Sequence, residues 1–253
     1  MELTGCKLIE YVPHEANWSV DDTRMSEKIE VLSAGAVQQG LVKVIDAFRR
    51  ETGYGVNLAF ATAPEIRKRL GGGELAEVVI APLNLIDEIV KTGKAVTAPL
   101  TVGRIGVGVM VRDGVPLPNI PTVEKFTQSL LAADSVVYNQ ASTGVYLESL
   151  FDQLGIASQL QAKTTRYPDF AAVRDHVSKG SGNEIGLGAT TVIIESAGKG
   201  VKFAGALPAK IQNYTTYAAV VVEHSSANEA AHSLINYLAN PTAKAIFRST
   251  GIE

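Results

Sequence analysis

The chain has 253 residues, of which 46% are hydrophobic and 19% are charged, and its formal net charge is −3. This length can bury one large core or two modest ones, and the lack of a basic surplus argues against nucleic acid as a partner, because neutralising phosphates requires one. The single cysteine, Cys6, excludes an intramolecular disulfide framework and any zinc cluster built on several thiolates.

Residues 1–28 are predicted to be a leader or extension that precedes the folded body. Acidic residues are scattered along this segment, and it lacks the apolar stretch of a secretory signal peptide. No part of the sequence approaches the roughly 18 consecutive apolar residues of a membrane helix, so we expect no membrane insertion. The composition of this segment therefore leaves a cytoplasmic location open.

Strands and helices alternate in the next part of the chain. Three short apolar runs predict buried strands at residues 29–33, 56–61 and 77–81. An amphipathic helix follows each run: the first ends at Gly53, the second runs from Pro64 to the glycines at 71–73, and the third begins at Pro82. This order predicts a parallel sheet with right-handed crossovers.

Two β-rich runs, residues 105–111 and 214–222, predict crossings between this first lobe and a second one. Between them we predict strands at 136–138 and 184–187 and helices at 123–133, 170–177 and 190–197. A further helix after Gly144 is predicted to bury Val145, Leu150, Phe151 and Leu154. The spacing of Ser226 and Glu229 predicts a capping box at the start of a helical C-terminus. The predicted division is residues 29–107 and 221–253 in lobe 1 and residues 108–220 in lobe 2.

Four strand-to-helix turns carry glycine or small hydroxyl residues. They are Ser33-Ala34-Gly35-Ala36, Thr62-Ala63-Pro64, Ser142-Thr143-Gly144 and Gly188-Ala189-Thr190-Thr191. Each turn would present backbone N–H groups and a hydroxyl at a helix N-terminus, where the helix dipole favours a negative charge. The turns therefore predict a site for a dehydrated anion, with ordinary helix capping as the alternative explanation of each.

These segments resemble a known family. The runs Ile29–Phe48, Phe60–Pro64 and Gly73–Ala81 are similar to the first lobe of type II periplasmic solute-binding proteins, most of all to the molybdate-binding components of ABC importers. The similarity continues through Gly103–Val109 and Glu184–Gly188 and covers most of residues 29–253. It implies an α/β, two-lobed type II periplasmic-binding-protein-like fold with a central cleft that closes by hinge motion.

The resemblance also implies a ligand, a partner and a location. The ligand would be a tetrahedral oxyanion such as molybdate or tungstate, bound without a metal or other cofactor, and the partner would be an ABC permease. The location would be periplasmic, although no signal peptide is evident in the chain.

Carried over by position, the resemblance assigns Ser33 as the first ligand hydroxyl and Thr62 or Ala63 as the second. The turn at Ser142, Thr143 and Gly144 matches the helix N-terminus of the second lobe, and Val173 matches a backbone donor. Three further residues of the hydroxyl-rich turns complete the predicted ligand-binding set: Ala34, Gly35 and Thr190.

This sequence departs from the family pattern at one ligand. The family's tyrosine ligand would fall near Ala189, so that phenol is missing, with Tyr146 and Tyr214 as candidate replacements. The change implies a lining less like a molybdate cage, which makes a small carboxylate a plausible ligand.

Two other functions stay open. Similarity to aconitate isomerases implies proton transfer on a tricarboxylate, with candidate bases His176, Glu65 and Tyr146 and candidate cations Arg67, Arg104 and Arg174. The third candidate function is a cytoplasmic anion sensor. No metal-binding histidine spacing, nucleophile elbow or phosphate-binding loop is present in the sequence, which favours a binding protein over an enzyme and assigns no catalytic residue.

Overall fold

The computed structural model describes residues 28–222 and 229–253. The strands of this part of the chain are β1 Lys28–Ala34, β2 Gly55–Ala61, β3 Val78–Pro82, β4 Leu100–Arg112, β5 Ser135–Asn139, β6 Thr164–Tyr167, β7 Glu184–Ala189, β8 Val201–Ala206 and β9 Tyr214–Val221. The α-helices are α1 Gln38–Thr52, α2 Ala63–Gly71, α3 Leu83–Lys91, α4 Val123–Ala132, α5 Ser142–Gln153, α6 Ala157–Leu160, α7 Phe170–Lys179, α8 Thr190–Glu195, α9 Glu229–Leu238 and α10 Pro241–Ser249. The predicted leader, up to residue 27, and the proposed capping box at 226–229, except for Glu229, lie outside the described residues.

The strands pair in the order β2-β1-β3-β9-β4-β7-β5-β6, with β8 on β4. In the first lobe, β1 runs parallel to β2 and β3, and in the second lobe, β5 runs parallel to β6 and β7. Strands β4 and β9 run antiparallel to their partners. The alternation of strands and helices predicted the parallel parts correctly, because a parallel strand needs a crossover helix.

Strand β4 belongs to both lobes. Its first half, up to Gly106, pairs with β9, and its second half, from Val107, pairs with β7 and β8. Strand β9 in turn pairs with β3 of the first lobe from Tyr217 onward. Strands β4 and β9 therefore lie between the two sets of parallel strands and join them into one sheet.

Separate hydrophobic cores lie in the two lobes. The first is built around Leu41, Ile45 and Phe48 of α1 and the strands β1 and β3, and α9 and α10 pack on it. The second is built around Phe126 of α4 and Leu147 of α5. The helical stripe of α1 faces the sheet, and Gly53 ends the helix with a left-handed φ of 79°, where its N–H donates to the Arg49 carbonyl.

Some local predictions were wrong or incomplete. Val145, predicted to be buried, is 60% exposed, because α5 turns its Leu147, Leu150 and Phe151 face to the core instead. The strands β6 and β8 were not predicted at all. Within the described residues no helix combines the length and apolarity that a membrane crossing requires.

Gly144 sets how closely α5 approaches the sheet. A Cβ atom at this position would lie 1.8 Å from the carbonyl oxygen of Asn139, the last residue of β5. Only a residue without a side chain allows the first turn of α5 to pack against the end of the strand at this distance. Gly144 therefore determines how close the N-terminus of α5 lies to the end of β5.

We predict that Gly144→Ala lowers the free energy of unfolding by about 2 kcal/mol or more, because backbone must move to relieve the clash. Thermal and denaturant unfolding would measure the change. Gly71→Ala is the matched control: nothing lies within 4 Å of its added Cβ, so the substitution should leave stability unchanged or raise it slightly. Equal stabilities of Gly144→Ala and wild type would contradict the close packing.

Candidate functional site

A cavity of about 470 Å³ lies between the two lobes. Its size is within the usual range for small-ligand sites. Lobe 1 and β9 contribute Ala34, Gly35, Ala36, Gln38, Phe60, Ala61, Thr62, Ala63, Pro82 and Tyr217. The second lobe contributes Asn139, Ala141, Ser142, Thr143, Asp169, Phe170, Ala171, Arg174, Ala189, Val192, Glu195, Ser196 and Lys199.

The carboxyl ends of the parallel strands build this cavity. Residues at the ends of β1, β2, β3, β5 and β7 all line it: Ala34, Ala61, Pro82, Asn139 and Ala189. Because each of these strands leads into a helical turn, the helical N-termini converge on the cavity from both lobes. In open α/β sheets this edge is where ligands bind.

Most of the helical turns that begin at the cavity lack a side-chain cap, and α7, which Asp169 caps, is an exception. No side chain caps the turn after Ala34 or the helices that begin after Thr62, Ala141 and Ala189. By contrast, Thr122 and Asn240 do accept hydrogen bonds from the backbone N–H groups of α4 and α10. Ordinary capping thus does not explain the hydroxyls of Thr62, Ser142 and Thr143, and the first N–H groups of these helices keep their donor capacity.

Six of the predicted ligand-binding residues line the cavity together, two from each of three turns: Ala34, Gly35, Thr62, Ala63, Ser142 and Thr143. The other four do not line it. Ser33 is fully buried, and its hydroxyl donates to the Ala34 carbonyl at 3.3 Å. Val173 is fully buried in the second lobe, Gly144 packs against β5, and Thr190 begins α8 outside the lining.

Four charged side chains line the cavity, and their formal charges cancel. Arg174 and Lys199 provide the cations, and Asp169 and Glu195 provide the carboxylates. Asp169 caps α7: its Oδ1 accepts a hydrogen bond of 2.9 Å from the Ala172 N–H in the first turn of that helix. Sequence reasoning singled out only Arg174 of these four, since no local pattern marks isolated charges on separate helices.

Arg174 is held by its sequence neighbour. Its Nη2 lies 2.8 Å from Oδ1 of Asp175, and the guanidinium holds the pKa of that carboxyl below its usual value. Lys179 approaches the other Asp175 oxygen at 3.2 Å. Arg174 thus enters the cavity partly neutralised, with a quarter of its side chain exposed.

Tyr217 is a lining residue that the sequence did not reveal. It is 5% exposed, lies in β9 opposite Pro82 of β3, and reaches the cavity. The two candidate replacements for the family's phenol lie elsewhere: the Tyr146 hydroxyl donates to the Ile211 carbonyl at 2.6 Å, and the Tyr214 ring packs 4.4 Å from the Arg104 guanidinium. Tyr217 could not be identified from the sequence, because its place beside Pro82 depends on the register of β9 on β3.

The candidate isomerase bases lie outside the cavity lining. His176 is held between two hydroxyls, with Nε2 3.1 Å from Ser135 Oγ and Nδ1 3.0 Å from the Tyr167 hydroxyl. Glu65 projects from α2 and pairs with Lys68 at 3.6 Å. Neither residue reaches the space where a substrate would sit.

Two of the candidate cations are also engaged elsewhere. Arg104 pairs with Glu253 at 3.0 Å, and Arg67 pairs with Glu88 at 2.9 Å, where the hydrogen bond lowers the pKa of the Glu88 carboxyl. Arg67 does border an adjoining cavity of about 480 Å³, which shares Ala63, Pro82, Ala141 and Ser142 with the first. Among the described residues, no group of three His, Cys, Asp or Glu side chains is placed to hold a metal ion.

Known proteins of similar sequence and structure fit this arrangement. A family model described as "Bacterial extracellular solute-binding protein" matches residues 29–253. A curated relative, the aconitate isomerase of a Pseudomonas species, is 30% identical over 232 residues, which are 89% of this chain and 87% of the relative.

Two solved structures share the fold at lower sequence identity. The periplasmic molybdate-binding protein of Azotobacter vinelandii has a TM-score of 0.74 at 16% identity, with 89% of this chain and 98% of that one covered. The sulfate-binding protein of Mycobacterium tuberculosis H37Rv has a TM-score of 0.71 at 19% identity, with 89% and 86% covered. The predicted two-lobed, periplasmic-binding-protein-like fold is thereby confirmed.

The family match spans all the elements that form the cleft, from β1 to α10. The chain belongs to the bacterial extracellular solute-binding protein family.

Proposed function

We propose that this chain captures a small anion in the cleft between its lobes and presents it to an ABC importer. The observation that carries the proposal is the convergence of uncapped helix N-termini from both lobes on one cavity. Backbone N–H groups and hydroxyls bind a dehydrated anion without a neutralising cation. The cancelling charges of the lining fit this chemistry, because surplus lysine or arginine is not needed.

The proposed direct contacts come from the turns that line the cavity. They are Ala34, Gly35, Thr62, Ala63, Ser142 and Thr143. Ser33, Gly144, Val173 and Thr190 are proposed to act from behind these contacts, by fixing the ends of the strands and helices that carry them. No catalytic residue, metal or other cofactor is part of the proposal.

The ligand we favour is a tetrahedral oxyanion such as molybdate, tungstate or sulfate. The two structural neighbours are a molybdate-binding and a sulfate-binding protein, and the amide-rich turns suit such ions. The second candidate ligand is a small carboxylate, which the chain would isomerise as an aconitate isomerase does. The 30% identity to that enzyme and the presence of Arg174 and Lys199 in the lining favour it.

Closure and location complete the proposal. Lobe 1, residues 29–107 and 221–253, and lobe 2, residues 108–220, would close on the ligand by rotation about β4 and β9. Family membership supports a periplasmic location and an ABC permease as partner. A cytoplasmic anion sensor would have the same cleft but no permease.

The first test is a thermal-shift screen with molybdate, tungstate, sulfate, citrate and cis-aconitate, followed by calorimetric titration of each hit. A ligand at 100 times its Kd stabilises the folded state by about 2.7 kcal/mol, which corresponds to a rise in Tm of roughly 5–10 °C for a chain of this size. We expect this rise with at least one oxyanion. The absence of any shift across the panel would refute anion binding.

A second test separates binding from turnover. Isomerisation of cis-aconitate moves its double bond, so an isomerase would change the ultraviolet absorbance of the solution over time. We expect a constant absorbance at protein concentrations that saturate binding. A steady, protein-dependent change would replace the transport proposal with the isomerase.

The two ligand classes respond differently to Arg174→Gln. An oxyanion held by amides and hydroxyls should bind within about threefold of wild type, whereas citrate or cis-aconitate should bind at least tenfold more weakly, because charged hydrogen bonds contribute about 1.5–3 kcal/mol. Calorimetry measures both constants. The matched control is Arg166→Gln, which removes an arginine of the same lobe that pairs with Glu148 away from the cleft. A tenfold loss of molybdate affinity in Arg174→Gln would contradict binding by amides alone.

Asp169→Asn tests the sign of the ligand's charge. Asparagine caps a helix as well as aspartate does, so stability should be unchanged, while removal of a like charge should tighten anion binding by about 0.5 kcal/mol. Asp169→Ala is the comparison, since it also removes the charge but loses the cap and should cost about 1 kcal/mol of stability. Weaker anion binding by Asp169→Asn would mean that the ligand donates a hydrogen bond to this carboxylate.

A further inference from the structure

The hydroxyl of Tyr217 has no hydrogen-bond partner among the described residues. Tyr217 is 5% exposed and lines the cavity. The enclosed side-chain atoms without partners in this part of the chain are Arg112 Nε and Glu184 Oε2, so the Tyr217 hydroxyl is not sealed inside the protein. Tyr217 is thus more than nine-tenths buried and lines the cleft, and its hydroxyl is neither bonded to a described residue nor fully enclosed.

A polar group in such surroundings is costly unless something bonds to it. Buried hydroxyls in folded proteins are almost always hydrogen-bonded, and leaving one without a partner costs free energy. Tyr146 and Tyr237 follow this rule, since their hydroxyls donate to the Ile211 carbonyl and to Glu51 Oε1. Tyr217 lines the cavity, so a group bound in the cavity is an available partner for its hydroxyl.

The chemistry of the group restricts what that partner is. Burial alone raises the pKa of the Tyr217 phenol well above its ordinary value, so the hydroxyl keeps its proton at neutral pH and is available as a donor. A bound group with a free lone pair, and above all one with a negative charge, is the complementary partner.

We infer that the Tyr217 hydroxyl donates a hydrogen bond to the bound anion from the floor of the cleft. The inference rests on the proposed function and adds a contact that neither the resemblance nor the hydroxyl-rich turns supply. It also restores a phenol to a site where the position expected to hold one is occupied by Ala189.

The location of this contact sets its role. Tyr217 lies on β9, opposite Pro82 of β3 and Gly103 of β4, and so sits where the strands cross between the lobes. The other proposed contacts lie on turns of one lobe or the other. A ligand bonded to Tyr217 is therefore placed at the crossing strands, where the lobes can close over it from two sides.

The experiment compares Tyr217→Phe with wild type by calorimetric titration of molybdate and of cis-aconitate, together with thermal unfolding without ligand. The substitution removes one oxygen atom and keeps the ring. Because the hydroxyl bonds to none of the residues that the structure describes, Tm without ligand should be unchanged or slightly higher. Affinity for the anion that wild type binds should fall about 10- to 100-fold, as for a lost hydrogen bond to a charged group.

The matched control is Tyr214→Phe, the same substitution three residues earlier on β9, at a side chain that is 40% exposed and outside the cavity lining. It should bind as wild type does. If Tyr217→Phe and wild type bind the anion equally, the inference is overturned while the proposed function stands. If wild type binds neither anion, the proposed function fails and the inference falls with it. If Tyr217→Phe loses Tm without ligand and keeps its affinity, the hydroxyl is structural and the inference is again overturned.

Discussion

The hydrogen bonding of β4 holds the two lobes in register. Its first half pairs with β9 and its second half with β7 and β8, so one strand takes part in the sheets of both lobes. The last residue of the chain reinforces this strand, because Glu253 exchanges backbone hydrogen bonds of 2.8 and 3.0 Å with Arg104. The cleft exists because the lobes meet at these crossings and diverge on either side of them.

Close backbone packing then brings the donors to the cleft. Gly144 allows α5 to begin directly on the end of β5, and the Thr191 hydroxyl of α8 donates to the Ala36 carbonyl of the first lobe at 2.7 Å. The first contact fixes α5 against the sheet of its own lobe, and the second joins the start of α8 to the turn after β1. For the proposed anion, donors held in place in this way would bind without the free-energy cost of reorienting them.

Much of the fold could be predicted from the sequence because its signals are local. Proline and glycine mark the ends of α2 and α3, and apolar runs mark the buried strands β1 and β3. The strand β6 escaped prediction because its four residues are partly exposed and lack an apolar run. Its existence depends on pairing with β5, which is a non-local interaction.

The sequence indicates several of the turns that line the cavity, but not which residues of each turn do so. The turn at Ser33 to Ala36 does face the cleft, yet Ala34 lines it and the Ser33 side chain is turned into the protein, because successive side chains of a strand point to opposite faces. Tyr217 illustrates the same limit, because it lines the cleft although no local pattern in the sequence marks it. It lines the cleft only through the register of β9 on β3, which joins residues more than a hundred positions apart.

The shared strand also restricts how such a protein can change over evolutionary time. The first lobe is not one continuous piece of the chain, since its sheet needs both the segment before Gly106 and the segment from Tyr214 onward. Recombination at a single point cannot exchange one lobe for another and keep both sheets intact. New ligand preferences therefore arise more readily by substitution in the turns that line the cleft than by shuffling of lobes between relatives.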